Sequence, residues 1–274
     1  MSGFLSALLH YPFLQHALAA CLLASLGCGI MGSYTYVKRI TFLAGGISHA
    51  VLGGMGIAWF LGGAPLVGAL AAAVVAALLI GWIHLHRQQH EDTLIGAFWS
   101  VGMALGILFI SKTPGYDQDL MSYLFGNVLM VTPDELLLMG GLDAVILALV
   151  VRFHKELLAV CFDTEFARLR GLPVQGLYLL LLVMVALTVV LLIQVVGLIL
   201  VIALLTLPAG IARMYARTLA GMMVRATLLG ALFTTGGLAL SYATDLPTGA
   251  TIILLAGLAY GSLLFWHGRH RAAP

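Results

Sequence analysis

Residues 176–194 read Gly-Leu-Tyr-Leu-Leu-Leu-Leu-Val-Met-Val-Ala-Leu-Thr-Val-Val-Leu-Leu-Ile-Gln, without one charge. A helix rises about 1.5 Å per residue, so such a run crosses most of the roughly 30 Å hydrocarbon core of a bilayer. Comparable runs lie at 13–37, 42–62, 65–84, 93–111, 134–151, 197–214, 226–243 and 249–266. They predict an all-α, polytopic transmembrane helical bundle of about 8–9 spans. The lower count follows if two glycine-split segments form one span. The runs are continuous rather than alternating, which favours helices over a β-barrel. Composition agrees: of 274 residues, 62% are hydrophobic and 9% charged. So few charges cannot coat a water-facing surface.

Thirteen Lys and Arg against eleven Asp and Glu leave a formal charge of +2. The basic residues are scattered, which argues against nucleic acid as a partner. Their placement orients the chain. Lys38 and Arg39, Arg87, the group Arg152, Lys155, Arg168 and Arg170, then Arg213, Arg217 and Arg225, and finally Arg269 and Arg271 occupy alternate links. Lys112 is the exception. The positive-inside rule makes the basic links cytoplasmic, with the N-terminus outside and the C-terminus inside a bacterial-type plasma membrane. The start lacks a basic n-region and runs into a full span, so no cleavable signal peptide is expected. Cys21 and Cys28 are separated by roughly 10 Å of helical rise, too far for a disulfide; with Cys161 they read as reduced thiols.

Several polar groups stand out against this background. His49 lies within the second span, after Ser48. An ionisable group at membrane depth is expensive, and an imidazole also ligates transition metals. The alternative is a neutral histidine satisfied by a backbone carbonyl, and Ser48 reads as a packing hydroxyl. Asp143, near the middle of the fifth span, either lines a pathway or pairs with a buried donor. His84, His86 and His90 crowd one inner link, where a solvated face is favoured over a metal pair. Asp117 and Asp119 sit in an outer loop, where they either attract cations or are simply solvated. The stretch 163–173, Asp-Thr-Glu-Phe-Ala-Arg-Leu-Arg-Gly-Leu-Pro, is strongly polar. Asp163 or Thr164 caps a short helix there and Gly171 stops it. Such a helix lies on head groups or docks into a partner. The glycines of the second span (Gly45, Gly46, Gly53, Gly54, Gly56) fit close packing or a broken helix lining a cavity.

Several motifs are missing. There is no phosphate-binding Gly-x-x-x-x-Gly-Lys-Ser/Thr loop, no His-Glu-x-x-His, no Gly-x-Ser-x-Gly elbow and no Thr-Val-Gly-Tyr-Gly filter. This chain therefore does not itself hold a nucleoside triphosphate in such a loop, and no hydrolase constellation is visible.

Four stretches together resemble one family, the membrane permease subunit of zinc/manganese-type ATP-binding-cassette importers. The first runs from Gly32 through Arg39 to Ser48-His49-Ala50. The second is Glu91-Asp-Thr-Leu-Ile-Gly96 with Ala104-Leu-Gly106. The third is Leu120-Met-Ser-Tyr-Leu-Phe-Gly-Asn127. The fourth is Phe162-Asp-Thr-Glu-Phe-Ala167 to Gly171, followed by Val196-Gly197 and Leu204 to Ala209.

The resemblance covers about residues 12–260 and implies one transmembrane permease domain over 1–274, with the fold of vitamin-B12 importers. It implies a homodimer in membrane lipid with a pathway on its axis, ATP-binding subunits below and an extracytoplasmic metal-binding protein above. The divalent metal is cargo, no cofactor is bound covalently, and the chain is not itself an enzyme. A coupling segment within 152–175 would carry Asp163, Glu165, Ala167, Arg168 and Gly171. His49, Ser48 and Asp143 would line the pathway, with His49 as metal ligand and Asp117 and Asp119 in the outer loop. Members often carry an aspartate four residues before the histidine, where this chain has Gly45. Open alternatives are an iron-chelate or cobalamin importer of the same fold and a proton-coupled secondary transporter using His49 and Asp143.

Overall fold

The computed structural model describes residues 2–86, 91–113 and 126–271. Among them the chain is helical throughout: α1 Ser2–His10, α2 Pro12–Lys38, α3 Thr41–Phe60, α4 Pro65–His86, α5 Glu91–Ser111, α6 Pro133–Arg152, α7 His154–Phe162, α8 Thr164–Leu169, α9 Val174–Val196, α10 Leu198–Tyr215, α11 Leu219–Thr244 and α12 Thr248–Arg271. Every predicted run falls on one helix, with ends shifted by a few residues.

The observed helices accord with the expected count of about 8–9 spans. Among the described residues, 7 helices are long and apolar enough to cross a membrane. An eighth span arises if α6 and α7, bent by 75° at Phe153, count as one. The remaining run falls on α5, 21 residues without a break and apolar over Ile95–Ser111. Nor do the glycines split the second span, since α3 is continuous from Thr41 to Phe60.

Helix ends follow local chemistry. Pro133 opens α6 behind a reciprocal cap: Thr132 N donates to Glu135 Oε2 at 2.8 Å, and Glu135 N donates to Thr132 Oγ1 at 3.3 Å. Proline suits this first position because its missing N–H would have had no intrahelical partner. Between α9 and α10, Gly197 adopts φ +81°, a conformation that a side chain would strain.

The chain divides into two compact units. One comprises residues 1–36, 121–144 and 192–274. In it Gly29 lies against Thr227, Gly32 against the Leu205 carbonyl, and Gly126 against Val196 and Gly197. Ser25 and Thr234 share a hydrogen bond at 3.2 Å. The sequence motifs that end in Gly126-Asn127 and Val196-Gly197 therefore meet here.

The other unit comprises residues 37–120 and 145–191. Its centre is α3, packed on α5 and α4 through glycines. A Cβ on Gly53 would stand 2.9 Å from the Gly102 carbonyl oxygen, and one on Gly56 would stand 2.7 Å from that of Gly106. Gly54 and Gly68 oppose each other in the same way on the α4 side. Lipid tails are as apolar as leucine, so helices here gain from close backbone approach rather than from expelling water.

Gly53→Val is expected to destabilise the protein by about 1–3 kcal/mol, because the obstructing atom is backbone. Gly140→Ala, where nothing lies within 4 Å, is expected to be neutral or slightly stabilising. Thermal unfolding of the detergent-solubilised protein, followed by monodispersity, compares the two.

Candidate functional site

His49 sits on the buried face of α3 and is 6% exposed. Its ring stacks on Trp99 of α5, with centroids 4.1 Å apart and planes 14° from parallel. Phe42 extends the aromatic surface, its ring 6.1 Å from that of Trp99. The glycine contacts of α3 with α5 set this register. Gly102, almost one turn beyond Trp99, lies so close to the His49 carbonyl that a Cβ there would be 3.0 Å from its oxygen. The His49 Nδ1 atom has no hydrogen-bond partner. A buried imidazole held by stacking, with an unused ring nitrogen, suits reversible contact with a cation.

Gly45 precedes His49 by one turn, and a Cβ placed there would lie 4.0 Å from Trp99 Cζ3. The indole thus covers the face that residues 45 and 49 share. Ser48 is buried, but its hydroxyl donates to the Ala44 carbonyl at 2.8 Å, back along its own helix. That bond satisfies it as a packing hydroxyl. Asp143 belongs to the other unit, is 7% exposed, and its Oδ2 has no hydrogen-bond partner. No group of three or more His, Cys, Asp or Glu able to cage a metal occurs among the described residues. Asp117, Asp119 and His90 lie outside the described residues.

The polar segment folds as the residues predict. Asp163, with extended backbone, ends α7 and caps α8: Phe166 N donates to its Oδ1 at 2.9 Å. Gly171 follows with φ +73°. Glu165 and Arg168 are exposed, whereas Ala167 is fully buried and anchors the segment from below. What the charge pattern did not reveal is an apolar surface. Phe162, Phe166 and Leu169 are 64%, 48% and 88% exposed. Phe166 and Leu169 are spaced i, i+3 on α8 and so share a face, while Phe162 ends α7 on the other side of the extended Asp163. Arg170 lies 5.0 Å from the centre of the Phe166 ring.

Several helix ends gather close by. Lys38, at the end of α2, donates to the Val160 carbonyl in the last turn of α7 at 2.9 Å. Its ammonium lies 5.9 Å from the centre of the Tyr178 ring, near the start of α9. That ring stacks on His84, near the end of α4, with centroids 4.9 Å apart. His84 is therefore an aromatic packing partner rather than part of a solvated face. The ends that the charge rule assigns to one side of the membrane meet at one end of this unit.

Trp99→Ala is expected to open His49 to diethyl pyrocarbonate, raising its modification over the parent protein, while Trp99→Phe keeps it shielded. Peptide mass spectrometry of the labelled protein reads both.

A model of the family described as ABC 3 transport family matches residues 10–266. A probable metal transport system membrane protein of Chlamydia pneumoniae is 43% identical over 270 residues, covering 95% of this chain and 92% of the relative. The manganese transport system membrane protein MntC of Halalkalibacterium halodurans is 34% identical over 266 residues, covering 97% and 91%. Among solved structures, PsaBC from Streptococcus pneumoniae in complex with Fab superposes with a TM-score of 0.86 at 33% identity, covering 94% of this chain and 93% of that one.

Proposed function

This chain belongs to the ABC 3 transport family, and from that premise we propose that it is the transmembrane permease subunit of an ATP-binding-cassette importer for a divalent transition metal. Manganese is the first candidate cargo, because the relatives that cover nearly the whole chain include manganese transport system membrane proteins. Zinc and iron follow. An iron-chelate or cobalamin cargo is not favoured, since the relatives named for metal transport match from end to end. The chain is a multi-pass membrane protein and a transport subunit rather than an enzyme. Hydrolysis belongs to a separate ATPase subunit.

The observation that carries the reading is the segment 162–171. A rigid corner, capped by Asp163 and seated on buried Ala167, presents three large apolar side chains among exposed charges. Phenylalanine and leucine exposed among charges on a polar link make a surface suited to a docking partner. An ATPase subunit docking there would receive Phe162, Phe166 and Leu169 in its groove, with Glu165 and Arg168 at the rim. Orientation follows from the same end of the unit. Lys38 and the 162–171 corner lie together, which supports a cytoplasmic placement and, with the charge rule, a bacterial inner membrane.

His49 is the proposed pathway ligand, one imidazole in each copy of a homodimer. A site with one protein ligand per chain binds weakly, and weak binding is what permits a cation to leave as well as enter. Asp143, buried with an unused oxygen, is the second candidate of the pathway. A metal-binding protein delivers cargo from outside. ATP binding and hydrolysis then bias the helices between outward- and inward-open packings.

In proteoliposomes carrying the whole complex, His49→Ala is expected to lower ATP-driven manganese uptake by about tenfold or more while the subunits still co-purify. Uptake at the parent rate would remove His49 from the pathway. Reversing charge at Asp163 and Glu165 is expected to leave hydrolysis running while uptake falls. Normal coupling in that variant would contradict the docking assignment.

A further inference from the structure

We propose that Lys38 is the positioning residue that ties the ATPase-docking corner to the transmembrane helices, so that movement of the corner is delivered to α2 rather than lost. The inference rests on the permease reading above and adds to it a named contact.

The chemistry begins with a helix terminus. The last four carbonyls of an α-helix have no amide ahead of them, and they carry the negative end of the helix dipole. In α7 these are the carbonyls of residues 159–162. The Asp163 amide serves the first of them, donating to Ala159 O at 2.9 Å. Chain continuity then fails, because Asp163 turns extended to start α8. The next carbonyl, that of Val160, belongs to a residue only 1% exposed. Its donor comes from another helix: Lys38 Nζ, at 2.9 Å. A cation at that place both satisfies the carbonyl and opposes the dipole.

The ammonium is held on its other side as well. It lies 5.9 Å from the Tyr178 ring, within range of a cation–π contact, and that ring is stacked on His84. One half-buried side chain thus joins the end of α2 to α7 and α9, and through the stacked ring to α4. The corner itself is stiff, since Asp163 caps α8 and Ala167 is buried beneath it. Force applied at Phe162, Phe166 and Leu169 therefore meets Lys38 within one turn of α7. Residue 39, immediately after Lys38, has φ +61°. The link to α3, and hence to His49, leaves α2 from that point.

The test uses the full complex with its ATPase, reconstituted in proteoliposomes, and measures radiolabelled manganese moved per ATP hydrolysed. Lys38→Met is expected to lower that ratio by about five- to tenfold, a usual size for a coupling between sites, with hydrolysis and co-purification retained. Lys38→Arg is expected to restore most of the ratio. A purely structural lysine would change yield or thermal stability and leave the ratio alone, so an assembled Lys38→Met complex with the parent ratio overturns the proposal. So does an arginine variant as uncoupled as the methionine one. If Lys38→Met does not assemble, Tyr178→Leu is measured instead, because it removes the ring beside the ammonium and leaves the lysine in place. A lowered ratio supports the proposal and an unchanged one overturns it. An unmutated complex whose uptake ignores ATP overturns the permease reading itself, and the inference with it.

Discussion

At membrane depth there is no water to push apolar surfaces together, so helices that must stay in register need backbone-to-backbone contact. The pairs Gly53 with Gly102 and Gly56 with Gly106 provide that contact between α3 and α5. The position of every functional group on these two helices depends on it. With the backbones this close, the indole of Trp99 lies flat on the imidazole of His49. A shift of one residue along either helix would rotate the pair apart by about 100°, as a helix with 3.6 residues per turn requires. The glycines are thus more than space-savers: they set which side chain His49 faces.

The opposite requirement governs the polar end of the same unit. There the backbone has to be stopped, turned and restarted within a few residues, and each interruption leaves amides or carbonyls without partners. Asp163 answers for one amide of α8, that of Phe166, and Lys38 for a carbonyl of α7. Acid at a helix start and base at a helix end both follow the dipole. The outcome is a corner stiff enough to carry the exposed apolar triad Phe162, Phe166 and Leu169.

Membrane class, helix positions and the short capped helix were legible in the residues, because each rests on local chemistry. A run of about 20 apolar residues has few alternatives once backbone hydrogen bonds must close internally. Asp163 three residues ahead of the Phe166 amide, with Gly171 after it, is likewise a local signal. The span count was less legible. The 75° bend at Phe153 carries no mark as plain as a proline in mid-helix. Of the site residues, His49 stood out as an ionisable group in a hydrophobic run. Trp99 did not, since nothing in the spacing of α3 and α5 along the chain says which faces meet.

The residues by themselves determined that this is a many-helix membrane protein with a buried histidine and a capped polar segment on one side, because hydropathy, charge placement and capping act over a few residues. Only the tertiary structure decided what those elements touch. It laid Trp99 over His49, buried Ala167, exposed Phe162, Phe166 and Leu169, and brought Lys38 to the Val160 carbonyl. These contacts join residues up to 122 positions apart. They depend on helix register and rotation, which packing sets and which no local pattern of side chains encodes.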